Sequence, residues 1–288
     1  MKVNGKTAVD GGPLLLGSDI DQRVKNHIRG RVARAGGTVD QLVDYRHCIV
    51  EDINIPDGGF GRVFKDGFRG FAEHTIPFLK RFIRQEVLFL LQGQRVSRDR
   101  KTIILDMHEA HLKSELHGRY DSSISSNLLE HSPNPIWLLL NFHFITKDSG
   151  FQFHAIPHGR YTYDRFREPT PFEHLIEDFE RGTDAADVSH VEDYRQSAIE
   201  KDGWQKDFHE RYPLSYPFIH FHVFDEHNTR ELFAFMFEEV TNDVLRTDRF
   251  SDNVLIFRNR LSADFLGTYR ELMAAYGPMM AERRFRTL

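Results

Sequence analysis

The alternation of short apolar strands with helices between Thr102 and Arg258 constrains the fold of this chain more than any other feature. Thr102–Leu105 is a short apolar strand ending in Asp106, and Asp121–Asn127 alternates as a strand before running into Leu128-Leu129-Glu130-His131. Pro133 and Pro135 open a helix carrying Ile136, Trp137, Leu139 and Leu140, and Phe151–Ile156 forms a further strand stopped by Pro157. After a long mixed excursion come a strand over Phe218–Phe224, a helix over Asn228–Val240 with Asn228 as its N-cap, and two strands around Val244–Arg249 and Val254–Arg258. Parallel neighbours need crossovers long enough to hold a helix, so this order predicts an α/β fold with a parallel sheet and a closing hairpin at its edge.

The first hundred residues follow a different pattern. Glycine pairs at Gly11-Gly12, Gly36-Gly37 and Gly58-Gly59 separate short polar and apolar pieces. Between them, Ile20–Ala35 is a basic helix candidate and Cys48–Ile55 alternates apolar with acidic residues, as a half-exposed strand does. Apolar residues from Leu79 to Leu91 recur at helical spacing after Pro77. The expected division is a divergent N-terminal region over 1–100, completing the sheet, and an α/β region over 101–288 with an insertion at 158–217. Asp57–Lys65 imitates the glycine-rich loop of protein kinases, but the lysine strand, catalytic loop and metal-binding Asp-Phe-Gly do not follow in order.

Composition narrows the function classes. A hydrophobic fraction of 40% over 288 residues supports a substantial core. The longest apolar runs, Val87–Leu91 and Ile136–Leu140, fall far short of the ~20 residues a membrane span requires. The single cysteine, Cys48, excludes an intramolecular disulfide and points to a reducing cytoplasm. The net charge of -5 comes from 38 basic and 43 acidic residues with no basic block, so nucleic acid is not an expected partner.

The stretch YDSSISSNLLEH, Tyr120 to His131, resembles the fourth-strand region of class I S-adenosylmethionine-dependent methyltransferases. NPIWLLLNFHFITKDSGFQFHAIP resembles the helix and strand that follow, while YTYDRFREPTPFEHLIEDF and HFHVFDEHNTRELFAF are similar to segments of bacterial methyltransferase-like proteins of surface-polysaccharide pathways. The resemblance spans Asp106 to Arg258 and implies a Rossmann-like class I methyltransferase sheet with a helical or irregular insertion. It implies methyl transfer from S-adenosylmethionine to an oxygen or nitrogen of a small-molecule or glycan-related acceptor. That family carries a glycine-rich turn after its first strand; Leu91–Gln94 has one glycine and Pro13–Asp19 only Gly17, so neither supplies it. A non-catalytic, methyltransferase-like protein that binds a partner is therefore the second hypothesis.

On this resemblance Asp106 and Met107 flank the adenine of the donor, and Ser125, Asn127, Leu128 and Glu130 border its methionine part. Abstraction of a proton from the acceptor calls for a base of near-neutral pKa, for which His131 and His158 are the candidates. Asp164, Arg165, Arg167, Thr170, His174, His220 and His222 would contact the acceptor, although ion pairs that staple the insertion to the sheet explain the charged residues equally well. The histidine pairs also raise a third hypothesis, a metal-dependent hydrolase. His220 and His222 alternate toward one face of the expected strand, followed by Asp225 and His227, and Asp106, His108 and His111 form a second group. Aromatic neighbours Phe221 and Phe224 favour packing over ligation, and no metal is expected.

Overall fold

The protein is described here from a computed structural model covering residues 26–36, 48–54, 101–201, 203–210, 212–246 and 251–271. Seven strands form one sheet: β1 (Gly30–Gly36), β2 (Cys48–Asn54), β3 (Lys101–Ile104), β4 (Tyr120–Ser126), β5 (Thr146–Pro157), β6 (Thr241–Arg246) and β7 (Ser251–Arg258). Their spatial order is β3-β2-β1-β4-β5-β7-β6. The first five run parallel, and β7 enters antiparallel between β5 and the edge strand β6. This is a Rossmann-like α/β sheet. Its winding reverses between β1 and β4, so the carboxyl ends of those strands border the crevice where open α/β sheets take their ligands.

The pleat sorts the core into two faces. Ala33 and Ala35 of β1 join Ile53, Leu255 and Phe257 under the helices, while Val32 joins Val50, Ile124, Phe153 and Val254 on the other face. Helix α1 (Pro135–Ile145) is apolar around its whole circumference and is accordingly buried on nearly all sides. Asn134 starts it by accepting the Trp137 amide at 3.0 Å, with Pro135 at the first helical position, where no amide hydrogen is needed. The insertion carries α2 (Phe172–Arg181), α3 (Val188–Tyr194) and α4 (Gly203–His209), followed by α5 (Glu226–Met236) and a last helix over 263–271. Among the described residues no helix is long and apolar enough to cross a membrane.

Three local expectations need correction. The helix expected over Ile20–Ala35 is replaced at its end by β1, because residues 30–36 lie between β2 and β4, and the Arg34 guanidinium is neutralised by Asp52 of β2 at 2.6 Å. Phe218–Phe224 is not a strand. Its amides serve other partners: Phe221 N and His222 N donate to Glu130 O, Val223 N donates to Thr170 Oγ1, and Arg167 takes the carbonyls of His220 and Phe221. With those groups satisfied, only a single bridge, His158 to Phe224, ties the segment to the sheet. Finally, the N-cap of α5 is Asp225, three residues before the expected cap, and Asn228 closes the capping box from the third helical position. The segments Asp57–Lys65 and Thr75–Leu91 lie outside the described residues.

Candidate active site

Strand β1 ends on a glycine. Gly36 adopts φ +85°, and a Cβ there would stand 2.4 Å from Ser126 O of β4 and 3.0 Å from Leu128 Cβ. Only glycine accepts both that dihedral and that approach. Sequence reasoning sought a strand-ending glycine elsewhere and passed over Gly36 because the preceding residues looked helical.

Two strands away, β3 is followed by Asp106, the cap of a 3-10 turn that carries buried Met107. The Asp106 carboxylate accepts the His108 amide at 2.9 Å and faces His108 Nδ1 at 2.8 Å. Burial opposes its ionisation, but the hydrogen bonds from His108 and Tyr216 outweigh it and hold its carboxyl below the usual range. From β4, Ser125 meets His154 Nδ1 at 2.6 Å, and His154 Nε2 faces Gln152 Oε1 at 2.9 Å. Burial pushes that imidazole down to about 3, so Ser125 and His154 form a neutral pair inside the sheet. Asn127 takes φ 50° and donates its amide to Ala155 O at 3.1 Å, aiming the chain from β4 into the turn with buried Leu128.

That turn delivers Glu130 and His131, and the insertion lays His220 over them. Glu130 is 2% exposed, and neither of its carboxylate oxygens has a hydrogen-bond partner. Burial raises its pKa well above the ordinary value, and the acidic neighbours Asp252 and Asp164 push the same way, so it is a neutral acid. Asp252, on β7, is itself raised to about 6 by burial. His131 Nε2 and His220 Nε2 lie 3.9 and 4.0 Å from Glu130 Oε1. Each imidazole is held from behind. Ile219 O accepts from His131 Nδ1 at 2.8 Å, and Asp164 Oδ2 faces His220 Nδ1 at 2.5 Å. Asp164 in turn binds Arg167 at 2.9 Å. Burial works against the Asp164 charge, but His220 and Arg167 keep its carboxyl lowered. Both rings therefore carry hydrogen on Nδ1 and turn Nε2 toward Glu130.

His131 and His220 do not share one character. Burial, followed by the charge of His220, pushes His131 down to about 3, which makes it a poor base. His220 has the carboxylate behind it that His131 lacks, the arrangement that fixes the tautomer of a catalytic imidazole. His158 stands apart, capping a 3-10 turn by accepting the Arg160 amide at 3.2 Å.

The remaining insertion residues mostly fasten it. Arg167 reaches Asp164, Asp193 at 2.6 Å and two backbone carbonyls. Thr170 pairs with Val223 through backbone and hydroxyl alike. Arg165 is exposed, its guanidinium 4.5 Å above the Phe166 ring. His174 and His222 turn away from Glu130 and converge on Asp178. Sequence reasoning missed Gly36, Asp178, His190 and Asp252. The i, i+4 pair His174 and Asp178 on an amphipathic helix was the one signal that periodicity could have supplied.

Comparisons with known proteins give architecture only. No family model matches the sequence, and no curated protein matches it. Among solved structures, a SAM-dependent methyltransferase from Methanosarcina mazei is 12% identical over 86% of this chain and 100% of its own, with a TM-score of 0.43. The N-terminal domain of EvdMO1 with SAH bound is 12% identical over 85% of this chain and 83% of its own, with a TM-score of 0.41. The trans-methyltransferase CalH in complex with SAH is 15% identical over 84% of this chain, with a TM-score of 0.38, and this chain spans 54% of its length. Likeness at these levels assigns no activity.

Proposed function

We propose that this protein transfers a methyl group from S-adenosylmethionine to an oxygen or nitrogen of a small-molecule or glycan-related acceptor, with His220 as the base. The observation that carries this is the meeting of Gly36 and Ser126 at the β1/β4 reversal, in a sheet whose antiparallel β7 sits between β5 and β6. The left-handed glycine at the end of β1 fits a donor whose carboxypropyl group needs close backbone approach, and Asp106 with Met107, at the turn that follows β3, would border its adenine. When bound, S-adenosylmethionine supplies an electrophilic methyl carried on a sulfonium. The chain's own part is to hold the acceptor in line, exclude water and receive its proton. Asp164 keeps hydrogen on Nδ1 of His220, which leaves the Nε2 lone pair to take the acceptor's proton. Neutral Glu130 beside it can donate a hydrogen bond to the acceptor.

A second reading, a non-catalytic protein that binds a partner, draws on Asp106 and Asp52, whose carboxylates are already engaged by His108 and Arg34. Calorimetric titration with S-adenosylmethionine and with its demethylated product separates the two. Micromolar binding is expected, weakened at least about tenfold in Asp106→Ala without unfolding, as for loss of a hydrogen bond to a charged group. Absence of heat and of thermal shift with both compounds moves the assignment to the second reading.

A further inference from the structure

We propose that His174, Asp178, His190 and His222 form a four-ligand zinc site that clamps helices α2 and α3 of the insertion to the segment before α5. The four side chains come from three segments. His174 and Asp178 share one face of α2, His190 lies in the first turn of α3, and His222 precedes α5. Their inner atoms converge. Asp178 Oδ2 lies 2.9 Å from His222 Nε2, 3.3 Å from His190 Nε2 and 3.3 Å from His174 Nε2, and the last two nitrogens are 3.0 Å apart. Ligand atoms about 2.0 to 2.1 Å from a tetrahedral zinc ion stand about 3.3 to 3.4 Å from one another, so a slight expansion of this cluster accommodates the ion.

The outer atoms of three of these side chains, His222, His190 and Asp178, are already satisfied. Ser132 O faces His222 Nδ1 at 2.9 Å and, being a carbonyl, can only accept, so the hydrogen sits on Nδ1. Asp187 Oδ1 faces His190 Nδ1 at 3.0 Å in the same sense. Thr183 donates to the other Asp178 oxygen at 2.8 Å. Neutral His222 therefore presents a lone pair, not a hydrogen, to a carboxylate oxygen in a fully buried position. At His190 burial opposes the charge, but the carboxylates of Asp178 and Asp187 outweigh it and raise its pKa, so without a metal a proton bridges it to Asp178; the His174 nitrogen stands beside it. Without a cation the contact of His222 with Asp178 sets acceptor against acceptor, and that of His190 takes up a proton; a single divalent ion would replace the proton and engage all four inner atoms. Pinned outer N–H groups with converging inner lone pairs are the second-shell arrangement of histidine metal sites. With zinc bound, the charges of the ion, Asp178 and Asp187 sum to neutrality. Imidazole and carboxylate with no thiolate suit zinc, and four protein ligands leave no open position, which makes the role structural.

This site is distinct from the pair His131 and His220 and does not depend on donor binding. The test is elemental analysis by plasma mass spectrometry of full-length protein purified without a histidine tag, before and after dialysis against zinc sulfate. About one zinc per chain is expected, as for a closed structural site. Asp178→Asn and His190→Gln should lose it, and His131→Gln should keep it. His174 is the half-exposed ligand, so His174→Gln keeps the fold, checked by circular dichroism, and should release zinc to a chelator at least about tenfold more readily. Cobalt-loaded wild-type protein should show the visible absorption of a four-coordinate ion. Protein that takes up neither zinc nor cobalt overturns the proposal. So does zinc that survives Asp178→Asn and His190→Gln or departs in His131→Gln.

Discussion

At the scale of single residues, the proposed chemistry would rest on two buried groups whose protons are set by their neighbours. Asp164 acts on the acceptor only through His220, by fixing its tautomer, so the two should behave as a unit in kinetics. His220→Gln and Asp164→Asn should each lower kcat by about 10²- to 10⁴-fold, the range for removing a general base, with donor affinity unchanged in calorimetry. Because they act together, the double variant should lose no more than either single one; additive losses in steady-state assays would separate their roles. Glu130 makes a different case. Its carboxyl is already uncharged, so Glu130→Gln removes no charge from the fold. The expected urea midpoint equals or exceeds that of the wild type at pH 8, whereas a drop of more than about 1 kcal/mol, the size of a lost hydrogen bond, would mean that the carboxylate is ionised and paired.

At the scale of elements, junctions carry more than the elements themselves. Gly36→Ala must place a methyl group 2.4 Å from a backbone carbonyl at a left-handed dihedral, and backbone cannot step aside as a flexible side chain can. A stability loss of at least about 1 to 2 kcal/mol in urea unfolding, the cost of that dihedral alone, should accompany loss of S-adenosylmethionine binding. Arg167 joins the insertion to the chain before α5, its side chain 3% exposed and paired with Asp164. Arg167→Ala leaves that carboxylate buried without its cation, and a loss of about 3 kcal/mol is expected in the same measurement. These junctions explain what the sequence disclosed. Strands β3, β4, β5 and β7 and helix α1 announced themselves through period and punctuation, because their patterns are set by burial on a single sheet. Strand β1 did not, since Arg31 and Arg34 interrupt its apolar alternation and the partner that neutralises Arg34 is Asp52, in another strand. Phe218–Phe224 looked like a strand because its residues are apolar and aromatic, while the groups that claim its amides come from Glu130, Arg167 and Thr170, far away in sequence. Of the site, His131, Glu130, Asp164 and His220 were all visible as candidates. That they gather around Glu130 while His174 and His222 gather around Asp178 was not, because pairing across the insertion leaves no mark on local spacing.

At the scale of the whole molecule, burial of ionisable groups at the carboxyl edge of the sheet makes stability depend on pH. Asp252 lies 8% exposed, and burial raises its carboxyl from 3.8 to about 6. A raised carboxyl favours the neutral form in the folded state, so its stabilising share is full below pH 3.8 and fades as pH rises through about 6. Glu130 titrates in the same sense. The buried imidazoles of His131 and His154, both held near 3, work oppositely: their share is full above 6.5 and is lost as pH falls toward 3. Because the two trends overlap in the wild type, the contribution of Asp252 is read as a difference. Asp252→Asn keeps the shape and removes the titration, so its stability relative to wild type should rise between pH 4 and pH 8. The gain should approach about 3 kcal/mol, two pKa units at about 1.4 kcal/mol each. Urea unfolding of both proteins across that range measures it, and a constant difference at every pH would show that Asp252 is ionised in the fold and solvated from the crevice.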